Sequence, residues 1–237
     1  MLLKVLLEGL HENGRTQDYY YIDPHTSSVT LISDGKGTNV LVDTGSFMYR
    51  PHLIEALAKE GLKPEEITHV LMTHGHMDHT SNCTAFVNTE THINRSMLHY
   101  HHGRCKIYPD MHAKPLPLGI EVFPSRGHTQ DHVSYFINYQ GKRYCMAGDA
   151  IREDYFLHAP PAYFEFEQRY QLLESARHIF ESCDIIIPGH HKVIEGEFKQ
   201  KLYNRLLELE KHMFNKLTIR DKLKMVTRKF KKRKLKK

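Results

Sequence analysis

The stretch "THGHMDH", residues 73–79, places His74, His76, Asp78 and His79 within six positions. Imidazole is the commonest protein metal ligand, so the residue types point to metal chemistry. His74 and His76 lie two apart, and in extended backbone they project the same way and can share one ion. Asp78 and His79 are adjacent, so their side chains diverge from that pair, and a second ion is their natural use. A chain with 19 histidines in 237 residues also produces clusters by accident. Other segments weigh against accident. "SRGHTQDH" offers His128, "CMAGDA" offers Asp149 and "IIIPGHH" offers His190, each where a strand-like run gives way to a loop. A metal-type residue at the end of one strand after another is how a rigid scaffold assembles a site from distant sequence. His191 rivals His190, and the preceding Pro188-Gly189 favours His190.

The elements that must position these residues are legible in outline. "MLLKVLLEGL" reads as an edge or core strand, because Lys4 and Glu8 interrupt it and no small-residue cleavage site follows. "DYYYID" and "SSVTLISDGKGTNVLVDTG" are strand-rich, with a hairpin turn at residues 34–37. "RPHLIEALAKEG" reads as a helix with Pro51 in its first turn and Gly61 at its end. "THVLMTH" is a short strand running into the histidine cluster. A second hairpin turns at Gln140-Gly141, a helix covers "FEQRYQLLESARHIFES", and "DIIIPGH" begins as a buried strand. A last helix from about Glu197 spaces Phe198, Leu202, Leu206, Leu209, Met213 and Leu217 by three or four residues. "MLHYHHGRCKIYPDMH", with His99, His101, His102 and His112, reads as a solvated polar loop. Sheets covered by helices in layers are the expected α/β architecture.

Composition sets the outer bounds. At 237 residues and 40% hydrophobic, the chain can bury one full core, expected over residues 1–219. Four scattered cysteines without CxxC spacing argue against a zinc ribbon or a disulfide framework, and with the absence of a leader or apolar span they predict a cytoplasmic setting. The net charge of +5 hides an asymmetry: residues 220–237 hold eleven Lys or Arg against one Asp, which leaves −5 for residues 1–219. That basic tail is either a solvated extension of the last helix or an arm for nucleic acid or an anionic membrane surface.

"THGHMDH" with "GHT", "AGDA" and "PGHH" resembles the metallo-β-lactamase fold superfamily over roughly residues 20–195. The resemblance implies an αββα sandwich with the site along one edge. It implies two divalent metal ions, the first held by His74, His76 and His128, the second by Asp78, His79 and His190, with Asp149 between them. Asp43, in "LVDTG", matches the family's first-motif aspartate and would support the site from behind the ligands. Asp149 argues against an antibiotic-cleaving role, since true β-lactamases of this fold generally lack a bridging aspartate. The nucleic-acid clamp of the large RNA-processing members is missing, and "AIREDYFLHAP" does not resemble the glutathione-binding segment of glyoxalase-II-like enzymes. "HTSN" after the first motif and "GDAIRED" after the bridge resemble the single-domain members.

The activity so implied is hydrolysis of an ester, lactone, thioester or phosphodiester by hydroxide on the dinuclear centre, with Asp78 orienting the nucleophile. Zinc is expected from imidazole and carboxylate ligands without thiolate, although manganese or iron also accepts this set. Substrates range from small molecules to nucleic acid. A ribonuclease-type phosphodiesterase and an iron-dependent redox enzyme of the same fold are the alternatives. A binding module with a degenerate site is disfavoured because every ligand position is filled. Arg152 and Tyr155 follow the bridging aspartate and stay outside the catalytic set.

Overall fold

The computed structural model describes residues 1–15, 20–93, 97–99, 105–107, 115–153 and 165–215. β1 (Leu2–Leu7) opens the larger sheet, and β2 (Leu10–Arg15) pairs with β3 (Tyr20–Thr26) as a separate ribbon. β4 (Val29–Ser33), β5 (Asn39–Val42), β6 (His69–Leu71), β7 (Glu90–Ile93), β8 (Met97–His99) and β9 (Cys105–Ile107) complete the larger sheet. Its order is β1-β4-β5-β6-β7-β8-β9. The smaller sheet is β10 (Glu121–Pro124), β11 (Val133–Tyr139), β12 (Lys142–Gly148) and β13 (Ile185–Pro188), in chain order. The helices are α1 (Arg50–Lys59), the single turn α2 (Met77–Thr80), α3 (Phe166–Ser182) and α4 (Gly196–Asn215).

Alternation along the strands explains the layers. In β4, successive side chains point to opposite faces, so Leu31 packs with Leu53 and Leu57 of α1 while Ile32 turns inward toward the smaller sheet. Ile32, Val40, Val42 and Leu71 meet Tyr135, Ile137, Met146 and Ile187 between the sheets. The outer face of the smaller sheet, with Phe136, Cys145 and Ile186, is covered by α3 and α4 through Leu173, Ala176, Ile179, Phe180, Leu202 and Leu206. The result is the αββα sandwich that the resemblance implied. Buried apolar area is the main favourable term holding these layers together.

Local chemistry sets the boundaries of the elements. Asp34 accepts from the backbone N–H groups of Lys36 (2.7 Å) and Thr38 (3.0 Å), closing the β4–β5 turn as an Asx-type turn. Gln140 and Gly141 both adopt positive φ, +49° and +75°, the backbone of a type I′ hairpin. α1 carries Pro51 in its first turn and ends before Gly61, whose φ is +74°. β1 lies at an edge of the larger sheet, one of the two places the opening run left open.

One expectation is corrected. "MLHYHHGRCKIYPDMH" is not wholly a loop, because β8 and β9 fall inside it and pair antiparallel with β7 and with each other. Without them the outer edge of β7 would present unpaired N–H and C=O groups, and edge pairing satisfies these whatever the polarity of the side chains. His101, His102, His112, Tyr155 and Leu217, like the tail after residue 219, lie outside the described residues. Among the described residues no helix is long and apolar enough to cross a membrane.

Candidate metal centre

The centre gathers where strands end along one edge of the sandwich. Asp43 follows β5, His74 and His76 follow β6, Asp78 and His79 lie in α2, His128 follows β10, Asp149 follows β12, and His190 follows β13. The structure brings together all seven residues read from the sequence as ligands. His76 Nδ1 lies 2.9 Å from His74 Nε2 and 3.0 Å from His128 Nε2. Two ligands on one tetrahedral zinc ion stand about 3.3 Å apart, so this trio has the spacing of a metal corner. Asp78, His79 and His190 form a second group, and Asp149 joins His74 and His79 in a third. Asp149 has one oxygen toward each side: Oδ1 is 3.2 Å from His79 Nε2 and 3.4 Å from His190 Nε2, while Oδ2 is 3.4 Å from His128 Nε2.

Hydrogen bonds behind the rings decide which nitrogens face the centre as lone pairs. His190 Nδ1 lies 3.1 Å from the carbonyl oxygens of Leu10 and Thr26. Carbonyls only accept, so Nδ1 carries a proton, and in the neutral ring Nε2 is the lone pair. His79 Nδ1 donates to Asp43 Oδ2 at 2.8 Å, which leaves its Nε2 bare in the same way. Asp43 also accepts from the Thr73 hydroxyl (2.8 Å) and the Thr73 N–H (2.8 Å). With its proton committed to Asp43, the Thr73 hydroxyl accepts from His74 Nδ1 at 3.1 Å, again leaving Nε2 free. The Nε2 atoms of His79 and His190 therefore aim at the Asp149 and Asp78 carboxylates. His79 Nε2, His190 Nε2 and Asp149 Oδ1 are buried without a hydrogen-bond partner. Ring nitrogens and carboxylate oxygens converging in a buried site need a proton or a metal ion between them, and the residues present fit a metal group.

The electrostatics divide the centre in two. Burial opposes charge on His79 and His190, but carboxylates outweigh it, Asp43 and Asp149 raising His79 and Asp149 raising His190. Burial likewise works against ionised Asp149 and Asp78, yet the surrounding imidazoles hold both below the usual carboxylate range. On the other side, burial depresses His74 and brings His128 down to about 4. Neutral imidazoles and ionised carboxylates ligate metals, so His74 and His128 are held in the ligating form, whereas an ion bound by His79 and His190 would displace the protons their carboxylate neighbours favour.

The sequence model described as Metallo-beta-lactamase superfamily matches residues 22–104. "Metallo-beta-lactamase domain-containing protein 1" of Xenopus laevis is 30% identical over 191 residues, covering 78% of this chain and 78% of that protein. The chain belongs to the metallo-beta-lactamase superfamily. A "Hydroxyacylglutathione hydrolase" of Glaesserella parasuis is 33% identical over 101 residues, 40% of this chain and 39% of its own. A Thermotoga maritima protein whose crystal structure carries the metallo-beta-lactamase name superposes with a TM-score of 0.59 at 19% identity, over 82% of this chain and 98% of its own, a likeness of fold.

Several residues that sequence reasoning passed over complete the metallo-beta-lactamase site. His132 is fully buried, and its Nε2 accepts the Asp149 backbone N–H at 3.1 Å. Its Nδ1 then donates to the Ser125 hydroxyl (2.8 Å), which passes to the Ser134 hydroxyl (2.6 Å) and on to the Ala147 carbonyl (2.9 Å). The relay has one consistent direction and fixes the backbone that carries Asp149. "SRGHTQDH" contained His132, but a histidine next to a candidate ligand gives no sign of which side it faces. Arg152 is buried and donates to Asp149 Oδ2 at 3.3 Å. Gly189 admits no side chain: a Cβ there would stand 2.1 Å from Asp149 Oδ1.

Proposed function

We propose that this chain is a hydrolase that uses two divalent ions, preferentially zinc, to cleave an ester, lactone, thioester or phosphodiester. The reading rests on one observation: the buried Nε2 atoms of His79 and His190 converge with Asp149 Oδ1 and the Asp78 carboxylate, three of these atoms having no hydrogen-bond partner. Superfamily membership supports metal-dependent hydrolysis, and the hydroxyacylglutathione hydrolase relative supports an acyl substrate. His74, His76 and His128 would hold one ion, Asp78, His79 and His190 the other, with Asp149 between them. When bound, two such ions supply a nucleophilic water of lowered pKa and Lewis acidity toward the oxygen that gains charge. Asp78 accepts a hydrogen bond from the attacking water and so orients it, and Asp149, held ionised, keeps the two halves in register. Met77, Phe47 and Met48 are exposed. The Phe47 N–H donates to the Ser81 hydroxyl, which in turn reaches the Met77 carbonyl, so the three border α2 together and offer apolar surface beside the centre. Such surface favours an ester, lactone or thioester with an apolar arm.

Asp149→Asn tests the reading. The amide replaces one anionic oxygen by a donor facing lone pairs, so we expect loss of much of the bound metal by elemental analysis and of nearly all hydrolysis across a panel of the four substrate types. Equal metal content in wild type and variant would overturn the placement of Asp149 between two ions. Activity that survives exhaustive chelation would overturn the metal mechanism itself.

A further inference from the structure

Asp78 has one imidazole more than a second ion would bring to it. Its Oδ2 lies 3.2 Å from His190 Nε2 and 3.3 Å from His79 Nε2, and also 3.3 Å from Nε2 of His25. His25 shares no candidate ligand group with Asp78; it falls in a separate trio with His11 and His190. That trio is a poor third ion site, because His190 Nδ1 is committed to the Leu10 and Thr26 carbonyls and its Nε2 faces Asp78 and Asp149. What remains is a pair on the β2–β3 ribbon, where His11 stands directly opposite His25. Their Nδ1 atoms are 3.2 Å apart, and the rings meet edge to face with centroids 4.9 Å apart. On its other side the His25 ring stacks on His190, 5.2 Å between centroids and 14° between planes.

We infer that His25, steadied by His11, is a positioning residue that sets the Asp78 carboxylate for the second ion. The inference rests on the two-ion reading. To serve a carboxylate, His25 Nε2 carries the ring proton, so its Nδ1 is a lone pair and accepts from His11 Nδ1. The chain then runs in one direction from His11 through His25 to Asp78. His25 is partly open to solvent, with 29% of its side chain exposed against 11% for Asp78. At that margin an unsupported carboxylate would turn to water, and holding it in place in advance is how an outer hydrogen bond strengthens a metal site. The ribbon lies outside both sheets, and this contact gives it a place in the centre.

Zinc titration of the full chain, stripped of metal and then loaded against a competing chelator, tests the inference without reference to activity. Wild type is expected to take two ions. His25→Ala should keep the first at wild-type affinity and bind the second about 10–100-fold more weakly. His25→Gln, whose amide nitrogen reaches toward the same carboxylate oxygen, should recover most of that loss, and His11→Ala should fall between. The metal-free forms should melt with wild type. Wild-type affinity for the second ion in His25→Ala overturns the inference, and so does His25→Gln as weak as His25→Ala, which would mark a structural role. Fewer than two ions in wild type overturns the two-ion reading and this inference with it.

Discussion

Asp43 shows how much of the centre is decided by a residue that is not itself a ligand. It adopts φ +57°, uncommon outside glycine but tolerated by aspartate, and its carboxylate accepts from the Thr73 N–H, the Thr73 hydroxyl and His79 Nδ1. Through those bonds it orients His79 directly and His74 by way of Thr73. Asn at position 43 can keep one acceptor, but its amide group would face donors from Thr73 and His79. We expect Asp43→Asn to cost about 2–3 kcal/mol of stability in the metal-free protein. Affinity for the second ion should fall about 10–100-fold. Chemical denaturation and metal titration of the same preparation read the two effects separately, and unchanged metal affinity would show that His79 needs no partner behind it.

Helix α3 contributes to the site through the loop it clamps. The Ser175 hydroxyl donates to the Arg126 carbonyl at 2.8 Å, and the Gln168 amide donates to the His128 carbonyl at 3.2 Å. Between them Gly127, at φ +139°, lies so close that a Cβ would stand 2.3 Å from Leu172 Cα. Gly127→Ala must push the helix off the loop or move the loop itself, so destabilisation of about 3 kcal/mol is expected, with weaker metal binding at the His128 side. A second element-scale contact joins the sheets: the buried Tyr135 hydroxyl donates to the Met72 carbonyl at 2.9 Å, one residue before Thr73. Tyr135→Phe leaves that carbonyl unpaired, and thermal melting should register a loss of about 1–2 kcal/mol. A loss of stability with intact metal binding would separate the sheet contact from the site.

For the whole molecule, the charge asymmetry makes the testable difference. All seven candidate ligands precede residue 191, and the last described helix ends at Asn215. A chain ending near Arg220 is expected to keep its metal and its hydrolysis of a small ester. If the eleven Lys and Arg of the tail form an arm for RNA or anionic lipid, binding of the full chain weakens steeply with salt, because neutralised phosphates release counterions. The truncated chain should then lose that binding, as filter binding or vesicle sedimentation would show. Salt-insensitive binding by the truncated chain would place the contact on the acidic body instead.

Much of this was legible in the residues because it depends on local spacing. Runs rich in β-branched residues located β4 and β5, apolar residues three or four apart located α3 and α4, turn residues located the two hairpins, and the HxHxDH spacing with three later strand-end residues named the candidate ligands before any contact was known. The sandwich and the two-ion grouping came from the resemblance those motifs carry. What only the tertiary structure decided is direction: which ring nitrogen holds the proton, and which neighbour holds each ring. His132, His25 and His11 sit in the sequence as histidines among nineteen. Their roles arise because the β2–β3 ribbon folds His25 against Asp78, and because β10 and β11 set Ser125 and Ser134 behind His132. Spacing along one chain reports which side chains share a face; partners on strands far apart in sequence are chosen by packing, and packing acts between elements.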